Sequence, residues 1–215
     1  MDRVSERATR VWDGPLRLWH WAFAASLTGS LYTGLVGDIG LIQWHMRFGY
    51  AVLGLLLFRV GWAFWGGMHA RWSSFRIGLS GWVASLRARS GQSARTAPGA
   101  LLVLCLCAAA AVQAVAGLFT SDFIFTEGPL VRHASDDTVD VLSAIHHRVF
   151  WVVLALIGVH LTAHLVYAAR RDPTPLGMFT GRKPAAVADT RHYWMRGFAT
   201  AAAVAGLVWL GLGLT

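Results

Sequence analysis

Five stretches of about 20 mainly apolar residues dominate this chain, the length a helix needs to cross the hydrocarbon core of a bilayer. They fall roughly at Leu16–Val36, Trp44–Trp65, Ala100–Phe119, Ile145–Ala169 and Trp194–Leu214. Lipid offers no partner to backbone N–H and C=O groups, so each stretch must satisfy them internally, as a helix does. Of 215 residues 55% are hydrophobic and only 14% charged, and the mean hydropathy is +0.49; few water-soluble domains combine such values. The expected fold is all-α, an integral membrane bundle of five transmembrane helices in a single membrane domain spanning residues 1–215. The first stretch contains a Trp19-His20-Trp21 triplet and no small-residue cleavage site follows it, so it reads as a retained helix rather than a secretory signal.

The net charge of +8 is placed by topology. Fifteen of the nineteen basic residues lie in the N-terminus (Arg3, Arg7, Arg10, Arg17), the second loop (Arg71, Arg76, Arg87, Arg89, Arg95) and the fourth loop (Arg170, Arg171, Arg182, Lys183, Arg191, Arg196). The first and third loops are acidic instead, with Asp38, then Asp122, Glu127, Asp136, Asp137 and Asp140. The positive-inside rule turns this alternation into an orientation for a multi-pass protein, with the N-terminus and even loops cytoplasmic and the C-terminus outside. The arginines then face anionic lipid, and nucleic acid is not an expected partner. Most tryptophans fall at span ends, where interfacial anchoring is the ordinary role. Phe75–Leu86 reads as an amphipathic segment on the inner surface, and Asp136–Ile145 as a short helix running into the fourth span. Asp13-Gly14-Pro15 reads as a helix start, with Asp13 capping and Pro15 in the first turn.

Six of the nine histidines sit on the apolar stretches, where an ionisable side chain is costly and functional by default, and four of them, His20, His45, His146 and His160, stand out. His146 and His160 are fourteen residues apart, about 3.9 turns and about 21 Å along a helix, so they share a face at two depths. His147 points about 100° away from His146. His164, five full turns from His146, competes with His160, and periodicity leaves the two open. Depth pairs His20 with the histidine near the cytoplasmic side, and His45 with His146 near the outside. Two imidazoles from facing helices can take both axial positions of a haem, so the pairs imply two haems. Arg59, fourteen residues beyond His45, lies at the depth of the inner pair, where its guanidinium can meet a propionate or snorkel to headgroups; Arg17, Arg47 and Arg148 are similar candidates. Gly29, Gly34, Gly49, Gly54 and Gly117 offer places where a flat macrocycle can lie against backbone, or where helices pack closely. His69, His133 and His192 read as solvated loop residues. Cys105 and Cys107 point to different sides of one helix and no Cys-x-x-Cys-His motif exists, so any haem is held non-covalently.

The opening Val11-Trp12-Asp13-Gly14-Pro15-Leu16-Arg17-Leu18-Trp19-His20-Trp21 resembles that of bacterial b-type cytochromes of the cytochrome b561 and nickel–iron hydrogenase cytochrome subunit family. His45 through Gly49-Tyr50 to Arg59 and Trp62 is similar to their second helix, Ile145-His146 with His160 to their fourth, and Gly181-Arg182-Lys183 to a tail motif of hydrogenase-type members. The resemblance implies that His20, His45, His146 and His160 ligate two haems b, with His160 rather than His164, inside a bundle of the first four helices. A fifth helix occurs in only part of the family. The implied function is electron transfer across the inner membrane between quinone or quinol and a periplasmic c-type cytochrome or redox enzyme subunit. Two rivals stand beside it: a stand-alone superoxide:quinone oxidoreductase, and a non-haem transporter-like membrane protein.

Overall fold

The computed structural model describes residues 8–75, 96–122, 124–184, 188 and 190–213. Five long helices carry the fold among them: α1 (Gly14–Val36), α2 (Ile42–Trp65), α3 (Ala97–Gly117), α4 (Asp136–Ala169) and α5 (Trp194–Leu212). α1 packs along α2 and α3 along α4, while α2 also touches α3 and α5. The all-α membrane bundle is therefore present. The amphipathic segment expected at Phe75–Leu86 lies, beyond Phe75, outside the described residues.

Local chemistry sets the helix ends. Asp13 Oδ1 accepts the Leu16 N–H at 2.9 Å to start α1, with Pro15 in the first turn as expected. Gly37, at φ 64°, takes the left-handed conformation that stops α1 before the tight turn into α2. Ser135 caps α4 by accepting from Thr138 N, and Asp136 and Asp137 complement the positive end of its dipole. The expected short helix at Asp136–Ile145 is continuous with the span: α4 is one helix of 34 residues. At 1.5 Å per residue it is about 51 Å long, more than a bilayer core of about 30 Å.

Four of the long helical segments are long and apolar enough to cross a membrane: Ile39–Trp65, Ala97–Gly117, Asp136–Ala169 and Trp194–Leu212. α1 has the length, 23 residues, but Arg17, His20 and its serines and threonines make it less apolar. Wide apolar surfaces face outward from these helices, including Trp151, Leu161 and Leu165 on α4 and Phe198, Leu207 and Leu210 on α5. That is how a chain dissolved in lipid presents itself.

The end of the bundle that carries the basic residues is tightly closed. A short strand β1 (Ala8–Arg10) pairs antiparallel with β2 (Arg182–Pro184), aligning Ala8 with Pro184 and Arg10 with Arg182. Gly181 O then accepts from both Val11 N and Trp12 N. Val11, Trp12, Leu16, Trp19, Phe58, Trp62 and Ala70 form one core cluster there. The tryptophans thus divide: Trp21, Trp44, Trp65, Trp151, Trp194 and Trp209 are exposed as belt residues would be, whereas Trp12, Trp19 and Trp62 are buried. The buried three sit where β1, the first turns of α1 and the last turns of α2 converge, so packing takes them from the interface. A second cluster, Leu27, Val52, Leu56, Ala110 and Val153, fills the middle of the bundle.

Asp13 does more than cap a helix. It is 1% exposed, and its Oδ2 accepts from Gly67 N at 3.2 Å and from Trp62 Nε1 at 3.3 Å, tying the start of α1 to the end of α2. Burial raises its pKa above the usual carboxylate range, against the opposing effect of these bonds. Removing the carboxylate costs the cap and strands two buried donors. Asp13→Ala should destabilise the protein by about 3 kcal/mol, read as unfolding in detergent micelles. Asp13→Asn, whose carbonyl can still accept from Leu16, should lose less. Equal stability for all three proteins would show that the tie is dispensable.

Candidate functional site

The four expected histidines meet as two pairs. On α2 and α4, His45 and His146 have ring centres 6.1 Å apart with planes at 88°. On α1 and α4, His20 and His160 have ring centres 6.5 Å apart with planes at 47°. Both members of each pair are half-buried. His164 lies edge-on against His160, ring centres 4.6 Å apart, one turn nearer the basic end. His147 is exposed, as its 100° offset requires.

The His45–His146 pair is held by a device used twice. His45 Nδ1 stands 2.9 Å from Ser30 O on α1, and a Cβ built on Gly34, four residues on, would come within 3.0 Å of the His45 ring. His146 Nδ1 stands 2.9 Å from Gln113 O on α3, and a Cβ on Gly117, again four residues on, would come within 2.8 Å of the His146 ring. In each case the missing side chain lets an imidazole reach a helix carbonyl. A carbonyl only accepts, so each Nδ1 carries the proton and each Nε2 is left with its lone pair as a ligand atom. The His20–His160 pair is built differently. His20 Nδ1 is buried without a hydrogen-bond partner, and so is His164 Nδ1. His20 is instead steadied through its neighbour, since Trp19 Nε1 donates to Leu55 O at 2.7 Å.

The remaining glycines have separate roles. Gly29 seats the Phe48 ring, Gly54 lies in ordinary contact with Val204 and Val208 of α5, and Gly49, one turn past His45, faces open space within 4 Å.

Arg59 is 9% exposed, donates from Nη2 to Ala70 O at 3.2 Å and lies over the rings of Trp19 and Phe75. It is buried in the bundle rather than snorkelled to the surface. Arg17 is half-buried and donates to Met178 O at 3.2 Å, on the loop beneath the inner pair. Arg47 and Arg148 are exposed, the former over Trp44.

The loop histidines divide. His133 is exposed, but His69 is buried with Nε2 2.9 Å from Ala188 O, and exposed His192 accepts the Gly14 N–H at 2.8 Å. The solvated reading therefore fails for His69, and His192 is bonded to the first residue of α1. Sequence carries no sign of either, nor of the Ser30 and Gln113 carbonyls, because a backbone acceptor has no side-chain signature.

Asp122, Glu127, Asp136, Asp137 and Asp140 are all exposed at the end nearer the His45–His146 pair. Asp122 also organises its loop, since Oδ1 accepts from Ile124, Phe125 and Thr126 N–H groups. Those donors hold its carboxyl below the usual carboxylate range.

The donor set fits a haem. A ring nitrogen lies roughly 2 Å from a bound metal, so two axial imidazoles on one iron have ring centres roughly 6 Å apart. Among the described residues no group of three or more His, Cys, Asp or Glu side chains could hold a metal ion by itself. Pairs are what the fold provides, and a pair suffices when a macrocycle supplies the other four ligands.

Searches of curated proteins and of solved structures return no match. A family model does match, over residues 11–181 of the 215, from the strand-to-helix entry of α1 to the glycine before β2. That span contains both histidine pairs, and by it the chain belongs to the prokaryotic cytochrome b561 family, the haem b-binding, multi-pass membrane cytochromes of electron transfer.

Proposed function

We propose that this chain is a di-haem electron carrier of the bacterial inner membrane, working between quinone or quinol and a redox protein on the periplasmic side. The observation that carries the reading is the pair of imidazole separations, 6.1 and 6.5 Å, on opposite ends of one helix face. His45 and His146 would hold one haem b and His20 and His160 the other, about 21 Å apart along α4. His160 is preferred to His164 because its ring is the one 6.5 Å from that of His20. Arg59, buried beside Trp19, and Arg17, at the basic end of α1, are the guanidinium groups for propionates of the inner haem. α1 is taken as the fifth span, since it packs along α2 throughout and supplies His20. The basic end then faces the cytoplasm and the acidic loop the periplasm.

When bound, such a haem supplies reversible one-electron chemistry at iron. Held by two histidines, each haem would leave no position open for oxygen, which would suit transfer rather than activation. The protein's part is to fix the imidazoles, exclude water and set the charge around each site.

Fully loaded protein should give two haems b per chain in a pyridine haemochrome assay, extractable by acid-organic solvent. His20→Ala and His160→Ala should each cost one haem, His45→Ala and His146→Ala the other. His147→Ala and His164→Ala should keep both. One haem per chain, or haem loss in His164→Ala with retention in His160→Ala, would reject the assignment.

The outer acidic residues would steer a positively charged partner. Replacing Asp136, Asp137 and Asp140 together by Asn should slow electron exchange with it by roughly 10-fold at low salt, and the difference should fade near 0.15 M, where the Debye length is about 8 Å. Stopped-flow rates indifferent both to the change and to salt would place docking elsewhere.

A further inference from the structure

We propose that the two sites are held at unequal potentials, the His45–His146 site the lower, by the carbonyls of Ser30 and Gln113. The proposal rests on the two-haem reading. A carbonyl 2.9 Å from Nδ1 pulls on the ring proton and shifts the imidazole toward imidazolate, which makes Nε2 a stronger electron donor. A stronger axial donor favours ferric over ferrous iron and lowers the potential. Both outer ligands receive this bond.

The inner site lacks it at His20, whose Nδ1 is buried with no partner. Among the described residues no carbonyl exposed by a glycine lies against either inner ring: the glycine cradles there that meet a histidine are Gly34 and Gly117, both at the outer pair. A second, independent effect points the same way. Arg59 is a buried cation packed on Trp19, the residue next to His20, so it favours the reduced state there and offsets propionate charge. The outer site has Arg47 and Arg148 nearby in sequence, but both are exposed and screened by solvent. The outer site also lies nearer the acidic loop. An electron therefore finds lower free energy at the basic end than at the acidic end.

Gly34→Ala and Gly117→Ala test this without touching a ligand. Each added Cβ presses one outer ring off its carbonyl, by the 3.0 and 2.8 Å contacts it would otherwise make. Redox titration followed by haem absorbance should resolve two midpoint potentials in the unaltered protein. In both variants the lower one should rise while the higher stays in place. Where an alanine displaces the ring so far that a haem is lost, the lower-potential wave must be the one that disappears. The proposal fails if the higher wave moves or vanishes, if neither wave moves, or if two bound haems titrate as a single wave. An unaltered protein that binds only one haem would instead overturn the two-haem reading beneath it.

Discussion

Hydrocarbon cannot hydrogen-bond an imidazole, a guanidinium or an indole, so a polar atom carried into this bundle is costly unless it is answered from within. The helices meet that demand mostly with carbonyls of their neighbours. Trp19 reaches from α1 to Leu55 O on α2, His45 from α2 to Ser30 O on α1, and His146 from α4 to Gln113 O on α3. Each of those carbonyls belongs to a residue within a long helix. Cross-helix bonds of this kind fix rotation and depth together, which apolar contact between Leu and Val side chains does not. The fold can therefore place ring nitrogens to within a fraction of an ångström while most of its outer surface stays featureless to lipid.

The two ends of the bundle solve different problems. At the basic end, Asp13, the β1–β2 pair and three buried tryptophans clamp the entry of α1 to the exit of α2 and to the chain beyond α4. At the acidic end α1 and α2 are joined by a turn of a few residues, and Asp122 shapes an exposed loop that Ser121 N ties to Ser143 Oγ on α4. The pair near the clamped end has no carbonyl on His20 Nδ1, while its neighbour Trp19 is bonded to α2. The pair near the open end has each imidazole tethered to a helix carbonyl. Structural tightness and imidazole bonding are thus complementary along the bundle axis.

Much of this was legible in the sequence. Apolar length marked the long helices, and Asp13, Pro15 and the fourteen-residue histidine spacing fixed the start of α1 and the depths of both pairs, since helical rise is nearly invariant. What escaped depends on contacts between distant segments. A three-residue strand has no periodicity, so β1 and β2 were invisible. The helix expected at Asp136–Ile145 does run into the fourth span, without a break, so α4 begins at Asp136 where Ser135 caps it. Tryptophan at a span end suggests an anchor, yet Trp62 is 0% exposed, because the chain beyond α2 folds back over it. His69 and His192 were hidden for the same reason, their partners being a loop carbonyl and a helix N–H far off in sequence.

The Ser30–Gly34 and Gln113–Gly117 arrangements show how little sequence such a device requires. In a helix, the carbonyl of residue i is screened chiefly by the side chain four residues on, which leans back toward the N-terminus. Remove that side chain and the carbonyl becomes an acceptor for anything lying across the helix. Small residues in membrane helices ordinarily let two backbones approach, and Gly29 and Gly54 serve such packing here, against Phe48 and against α5. Gly34 and Gly117 admit an imidazole instead. The residue type is the same in all four cases, and only the neighbour differs. A glycine in a helix of this kind is therefore best read together with what lies one turn before it and with which ring faces that turn: where the ring is a histidine, the glycine positions the imidazole as much as the carbonyl it uncovers does.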